Sequence, residues 1–187
     1  MGGWDKKHRV MQRYDLTACM YDMRYAEEQK AKFEVALKGL NINRHDLILD
    51  AGCGTGLLFD YIAAIAAKAK TVVGLDISRK LLFQANERAK KFENIHLILA
   101  DADRMPFKND SFDLVFAFTL IQNVPDPAET LKEIKRVAKL EASILVTGLK
   151  KTFSLETYEE LLRNAGLKVA SLWDDALKCY VAICRKI

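Results

Sequence analysis

From Leu47 onward the chain alternates short apolar runs with longer stretches in which apolar residues recur every three or four positions. A short apolar run bounded by turn-forming residues reads as a buried strand, and the three-to-four period reads as one face of a helix. The pattern predicts strands near Leu47–Ala51, Thr71–Asp76, Ile95–Ala100, Phe112–Phe118, Ser143–Gly148, Leu167–Trp173 and Tyr180–Cys184. It predicts helices near Leu57–Ala67, Arg79–Lys91, Pro127–Leu140 and Leu155–Asn164. Such alternation builds parallel sheets from βαβ units, so the expected fold class is α/β. Local punctuation agrees: Asp126-Pro127 and Ser154 are helix-opening residues, and Gly166 suits a left-handed helix stop.

Residues 1–46 have another character. Tyr14-Asp15 and Tyr21-Asp22 repeat at a seven-residue spacing, and Tyr25 leads into the helix-prone stretch Ala26–Leu40. The spacing puts Tyr14, Tyr21 and Tyr25 on one side of a helical or broken-helical segment. That stripe packs on the rest of the chain, or covers a ligand cleft, and tyrosine serves both uses because its ring packs while its hydroxyl stays available. The expected organisation is an N-terminal helical segment or lid (1–46) on a main unit (47–187), together one structural domain.

Composition narrows this picture only a little. With 187 residues, half of them hydrophobic, the chain can bury a substantial core. The net charge of +4 is the difference between 29 basic and 25 acidic residues, which permits an acidic partner without demanding one. The clusters Lys6-Lys7-His8-Arg9 and Lys150-Lys151 read as solvated surface. Cys19, Cys53, Cys179 and Cys184 form no CxxC pair and no zinc spacing, and no secretory signal is apparent. Reduced thiols, a cytoplasmic protein and no metal site are therefore expected. The stretch Leu57–Ala67 is too short and polar to cross a bilayer, and Lys6 stands where a myristoylation motif needs Ser or Thr, so no membrane anchor is expected.

The chemistry is carried by Leu47-Ile48-Leu49-Asp50-Ala51-Gly52-Cys53-Gly54-Thr55-Gly56, a strand running into three alternate glycines and then a helix. Glycines there let the backbone turn sharply and let a ligand lie directly against it. Dinucleotides and S-adenosylmethionine both use such loops. The dinucleotide pattern GxGxxG is not met, because Leu57 occupies its last position. Asp50 would also oppose a pyrophosphate while suiting a cationic sulfonium ligand with an α-ammonium group.

In these residues the chain resembles the class I S-adenosylmethionine-dependent methyltransferases, whose first motif D-x-G-x-G-x-G is matched by Asp50, Gly52, Gly54 and Gly56. Among them it is similar to the small ubiquinone/menaquinone methyltransferase-like members. The resemblance implies a doubly wound, Rossmann-like sheet of seven strands in the order 3-2-1-4-5-7-6, with the last strand antiparallel. It implies that the loop from Ala51 passes under the methionine part of the cofactor and that Asp76 holds the ribose hydroxyls. Ile77 would then pack on the adenine, Asp101 and Ala102 would meet the adenine edge, and Phe118 would face the methyl-bearing sulfur. Tyr21 is expected at the cofactor. Tyr14, Tyr25, Gln122 and Asn123 are expected at the substrate, the last two having loop capping as an equal alternative.

Phe118-Thr119-Leu120 stands where amino-group methyltransferases carry Asn/Asp-Pro-Pro-aromatic, which counts against planar amino acceptors. No cysteine lies in that loop, which counts against a covalent cysteine adduct. The expected activity is methyl transfer that leaves S-adenosylhomocysteine, with no assigned catalytic base. The acceptor is a small molecule, or a tRNA or protein. The Tyr-Asp-rich start followed by Glu27-Glu28-Gln29 is similar to small archaeal-type methyltransferases that work with a zinc-ribbon activator protein. The alternative is a catalytically silent S-adenosylmethionine-binding subunit.

Overall fold

In the computed structural model, the described residues are 3–38, 40, 46–62 and 69–186. The elements are α1 (Gly3–Ala36), β1 (Leu47–Ala51), α2 (Leu57–Tyr61), β2 (Thr71–Asp76), α3 (Arg79–Ala89), β3 (Ile95–Leu99) and β4 (Phe112–Ala117), followed by α4 (Pro127–Val137), β5 (Ala138–Leu149), α5 (Leu155–Asn164), β6 (Leu167–Trp173) and β7 (Cys179–Lys186). Seven strands form one sheet in the order β3-β2-β1-β4-β5-β7-β6. β1, β2, β3, β4 and β5 pair in parallel, and β7 runs antiparallel between β5 and β6. The α/β class and strand order are those the sequence implied.

The central strands are apolar at consecutive positions because both faces of the sheet are covered. Alternate residues Leu49, Val115, Ile144 and Val146 join the layer formed with Leu131, Ile134 and Leu162 of α4 and α5. Their neighbours Ile48, Leu114, Phe116 and Leu145 join the opposite layer, with Phe33, Phe59, Leu82 and Ala85 from α1, α2 and α3. Asp126 caps α4 by accepting from Ala128 and Glu129 N–H, Ser154 caps α5 by accepting from Thr157 N–H, and Gly166 has φ 75°.

Two boundaries differ from those the sequence predicts, and a third falls partly outside the described residues. The helix predicted over Pro127–Leu140 stops at Val137, and β5 starts at once. Ser111 and Asp110 N–H take the carbonyls of Val137 and Arg136, Ala138 pairs with Phe112, and Lys139 reaches both Asp113 oxygens at 2.8 and 2.9 Å. These pairings override a helix-prone local sequence. The predicted Leu57–Ala67 helix is described only to Tyr61, with Ile62 as its cap, and residues 63–68 lie outside the described residues. At the N-terminus, the Tyr-Asp segment and the start of Ala26–Leu40 form one 34-residue helix, about 51 Å long at 1.5 Å per residue. No helix among the described residues is long and apolar enough to cross a membrane.

The buried Tyr158 locks α5 onto the sheet. Its hydroxyl donates to the Val146 carbonyl at 2.8 Å and its ring stacks on Tyr180. A Cβ at Gly148 would lie 2.5 Å from that ring. Gly148→Ala is expected to cost about 1–3 kcal/mol as overpacking. Denaturant unfolding should show a lower midpoint with an unchanged slope.

Candidate functional site

β1 ends in a turn folded over the end of β2. Gly52 and Cys53 N–H both donate to the Leu75 carbonyl, at 2.7 and 2.9 Å. Gly54 N–H donates to one Asp76 oxygen at 2.9 Å, and Ser78 N–H donates to the other at 2.8 Å. Gly52, Gly54 and Gly56 all have positive φ. At Gly54, φ is 56° and an added Cβ would meet nothing within 4 Å, so the backbone there borders open space. Gly56 does different work: a Cβ would strike the Phe59 ring at 2.6 Å and Ala85 Cα at 3.3 Å, so this glycine lets the loop close onto α3.

The space beyond the turn is a partly open cleft at the carboxyl ends of β1, β2 and β4. Gly52, Gly54, Asp76, Ile77, Asp101, Ala102 and Phe118 line it, as do Tyr14 and Tyr21. A small adjoining recess shares Tyr21, Gly52, Gly54 and Phe118 and adds Asp50, Gln29 and Thr55. The structure thus brings together sequence-selected residues from β1, β2, the loops after β3 and β4, and α1. Asn123 also lines the main cleft, accepting from Arg13 at 3.0 Å and donating to the Thr119 carbonyl at 2.7 Å.

Four selected positions lie elsewhere. Gln122 lines neither space, and its buried Oε1 has no partner among the described residues. Tyr25 is largely exposed and rests on Tyr21 from outside, with ring centroids 5.0 Å apart. Ala51 is buried within the sheet. Gly56 faces α3 rather than the cleft.

Helix α1 is fastened across this cleft by side chains that the sequence reading did not select. Asp15 accepts from Ser78 Oγ at 2.5 Å, and Asp22 accepts from Thr55 Oγ1 at 2.7 Å. Arg88 of α3 binds Asp22 at 2.5 Å and the Thr55 carbonyl at 2.7 Å. The seven-residue Tyr-Asp repeat held the signal: each tyrosine faces the cleft, and the aspartate one residue on, about 100° further round, ties the helix to the body. Arg88 had no local signal.

The N-terminal basic cluster is another correction. Lys7 is not solvated surface: its ammonium bridges Asp101 at 2.5 Å and Asp103 at 2.6 Å, and Lys6 donates to the Val124 carbonyl at 2.6 Å. Burial works against the Lys7 charge, but its bonds to the two carboxylates prevail and hold its pKa above the ordinary lysine value. Lys7 and Val10 line the same cleft as Ile77 and Ala102.

The electrostatic centre of the site is Asp50. It is only 2 % exposed, and its Oδ2 has no hydrogen-bond partner among the described residues. Burial, followed by repulsion from Asp76, pushes its carboxyl up to about 8. Burial also raises Asp76, against the pull of the Ser78 and Gly54 amides. Burial likewise raises Tyr21 and Tyr14.

Residues 49–146, more than half of the chain, match the methyltransferase domain family. The chain belongs to that family. It is 36% identical over 133 residues to malonyl-[acyl-carrier protein] O-methyltransferase of Marinomonas sp., covering 71% of this chain and 48% of the relative. It therefore spans about half the length of the curated relatives it matches. Among solved structures, the backbone superposes with a TM-score of 0.79 on a chain from the complex of the Haloferax volcanii Trm112 methyltransferase activator with a methyltransferase (19% identity, covering 92% of this chain and 96% of that one). It also matches the [4+2]-cyclase SpnF, with a TM-score of 0.81 (16% identity, 96% of each chain). These likenesses concern fold alone, since one fold hosts unrelated chemistries.

The buried carboxyl of Asp50 sets a pH dependence that can be read without any ligand. An unfolded aspartate ionises near its ordinary value of 3.8, and the folded Asp50 only near 8. Between these values the unfolded chain has already released its proton, so this group's contribution to stability falls as pH rises, then levels off above 8. Asp50→Asn removes that contribution. The variant's stability relative to the parent is expected to grow from pH 5 to pH 8, by up to several kcal/mol in order of magnitude. Parallel denaturant titrations at the two pH values check this, and a pH-independent difference would reject it.

Proposed function

We propose that this chain is an S-adenosylmethionine-dependent methyltransferase, and the observation that carries the reading is the unpartnered, buried oxygen of Asp50 beneath a left-handed glycine turn. The donor set suits this cofactor. A lone buried carboxylate calls for a cation, and the ligand's α-ammonium provides one. The open backbone at Gly54 leaves room for a ligand against the chain. Asp76 keeps acceptor capacity beyond its two amide bonds, as ribose hydroxyls require. Ile77 and Val10 are the apolar partners for an adenine ring, and Asp101 would share its carboxylate between Lys7 and the adenine amino group.

The cofactor supplies a methyl carbon already activated by sulfonium charge, so this chain's residues have only to bind, align and exclude water. Tyr14 and Tyr21 wall the cleft, and their raised pKa values keep both hydroxyls protonated at neutral pH, which unsuits them as bases. In this reading residues 1–46 act as a cover over the unit formed by 47–187. The acceptor enters between α1 and the loop after β4, beside Phe118 and Asn123.

Calorimetric titration with S-adenosylmethionine and S-adenosylhomocysteine tests the proposal. Micromolar binding is expected, and Asp76→Ala should weaken it more than tenfold, the scale of a lost charge-assisted hydrogen bond. Failure of the folded chain to bind either ligand would sink the reading, unless binding returned on addition of a zinc-ribbon activator of the Trm112 type. Asp50 offers a second signature. At pH 6.5 the free protein holds its proton and the ammonium-paired form does not, so binding should release close to one proton, detectable in buffers of different ionisation enthalpy. Asp50→Asn should abolish that release.

A further inference from the structure

Thr119, two residues beyond β4, is held against its own preference. Its φ is 57°, a left-handed conformation that is strained for a β-branched residue. Its surroundings enforce it. Thr119 N–H donates to Thr147 Oγ1 at 2.8 Å, and its carbonyl accepts from Asn123 Nδ2 at 2.7 Å. Strain held in place from several sides marks functional positions.

The side chain is equally committed. Thr119 Oγ1 accepts from Gln29 Nε2 at 3.0 Å and from Lys32 Nζ at 3.1 Å. With both lone pairs taken, the hydroxyl proton remains to be donated, and within the protein it has Gln29 Oε1 at 3.3 Å. Lys32 is only 2 % exposed. Its ammonium pairs with Glu28 at 2.9 Å, and Lys178 approaches the same carboxylate at 3.6 Å. Lys178 is largely in solvent, so the buried charge at Thr119 is that of Lys32, and Thr119 lines the cleft beside Phe118 and Gly52.

We infer that the Thr119 hydroxyl, polarised by the buried Lys32, recognises the methyl acceptor, and that the acceptor is an oxyanion with its charge shared over two oxygens, a carboxylate. The inference rests on the methyltransferase reading above. One carboxylate oxygen accepts from Thr119 and the other attacks. An O–CH3 bond forms as the S–CH3 bond breaks, the electron pair stays on sulfur, and the negative and positive charges cancel in a methyl ester. No proton moves, in keeping with walls whose tyrosines stay protonated. An ammonium acceptor would meet a like charge and would need a base. Lys32 acts through Thr119 and is a positioning residue.

The test uses the full chain loaded with S-adenosylhomocysteine, with loading verified first by calorimetry. Acetate and benzoate are titrated against methylammonium and benzylammonium, matched in size and opposite in charge, while the amide signals of Thr119 and Asn123 are followed by NMR. The carboxylates are expected to bind and to shift both signals, and the ammonium probes to leave them unmoved. Lys32→Met should weaken carboxylate binding about tenfold or more, with Lys32→Arg and Thr119→Ser retaining most of it and S-adenosylhomocysteine affinity nearly constant throughout. Tighter binding of the ammonium probes, absence of carboxylate binding, or an unchanged carboxylate affinity in folded Lys32→Met would overturn the inference. Because the first comparison uses the unmodified chain, it stands even if a variant fails to fold. Failure to load S-adenosylhomocysteine would strike the methyltransferase reading instead.

Discussion

A carboxylate whose two oxygens are each held by a backbone N–H cannot swing, and Asp76 is in that position. One oxygen fixes the glycine turn after β1 through Gly54, and the other fixes the approach to α3 through Ser78. Ser78 in turn caps α3 and holds Asp15 of α1. A single buried side chain at the end of β2 thus sets the relative placement of the turn, the helix behind it and the helix across it. The cleft is the space left between these three fixed bodies.

That arrangement leaves a second carboxylate, Asp50, close enough to Asp76 to be repelled and too deep to be hydrated. A core optimised for stability alone would not keep it. In the function proposed above, its charge is satisfied by the cofactor's ammonium group. On that proposal stability and ligand capture are opposed at this one residue, a trade-off common where binding sites are preorganised.

The parts of this structure legible in the sequence are those whose causes are local. The strands follow from apolar runs, the turn from its glycine spacing, and the helix starts from Asp126 and Ser154, each decided within a few residues. The parts that were not legible depend on distant partners. Lys7 reads as a surface lysine until Asp101 and Asp103 arrive from about a hundred residues away. Arg88 gains meaning from Asp22, Asp60 and Thr55, and α4 ends at Val137 because Phe112 claims the next residue for the sheet. Nothing in Thr119 itself announces a left-handed backbone, which neighbours on β5 and in the following loop impose. Gln122 shows the converse, a polar residue in a promising loop that does not line the cleft.

The unbroken course of α1 has a mechanical consequence. Lys7, Asp15 and Asp22 fasten one rigid rod at points spread over about 22 Å, at 1.5 Å of rise per residue. Such a rod behaves as a lever: a shift at Lys7 is transmitted to Asp15 and Asp22 in proportion to distance from the pivot where Phe33 and Ala36 sit in the core. The fastenings therefore yield together or the helix unwinds locally between them. The placement of α1 over the cleft thus depends on the stiffness of a helix as much as on the strength of any one bond.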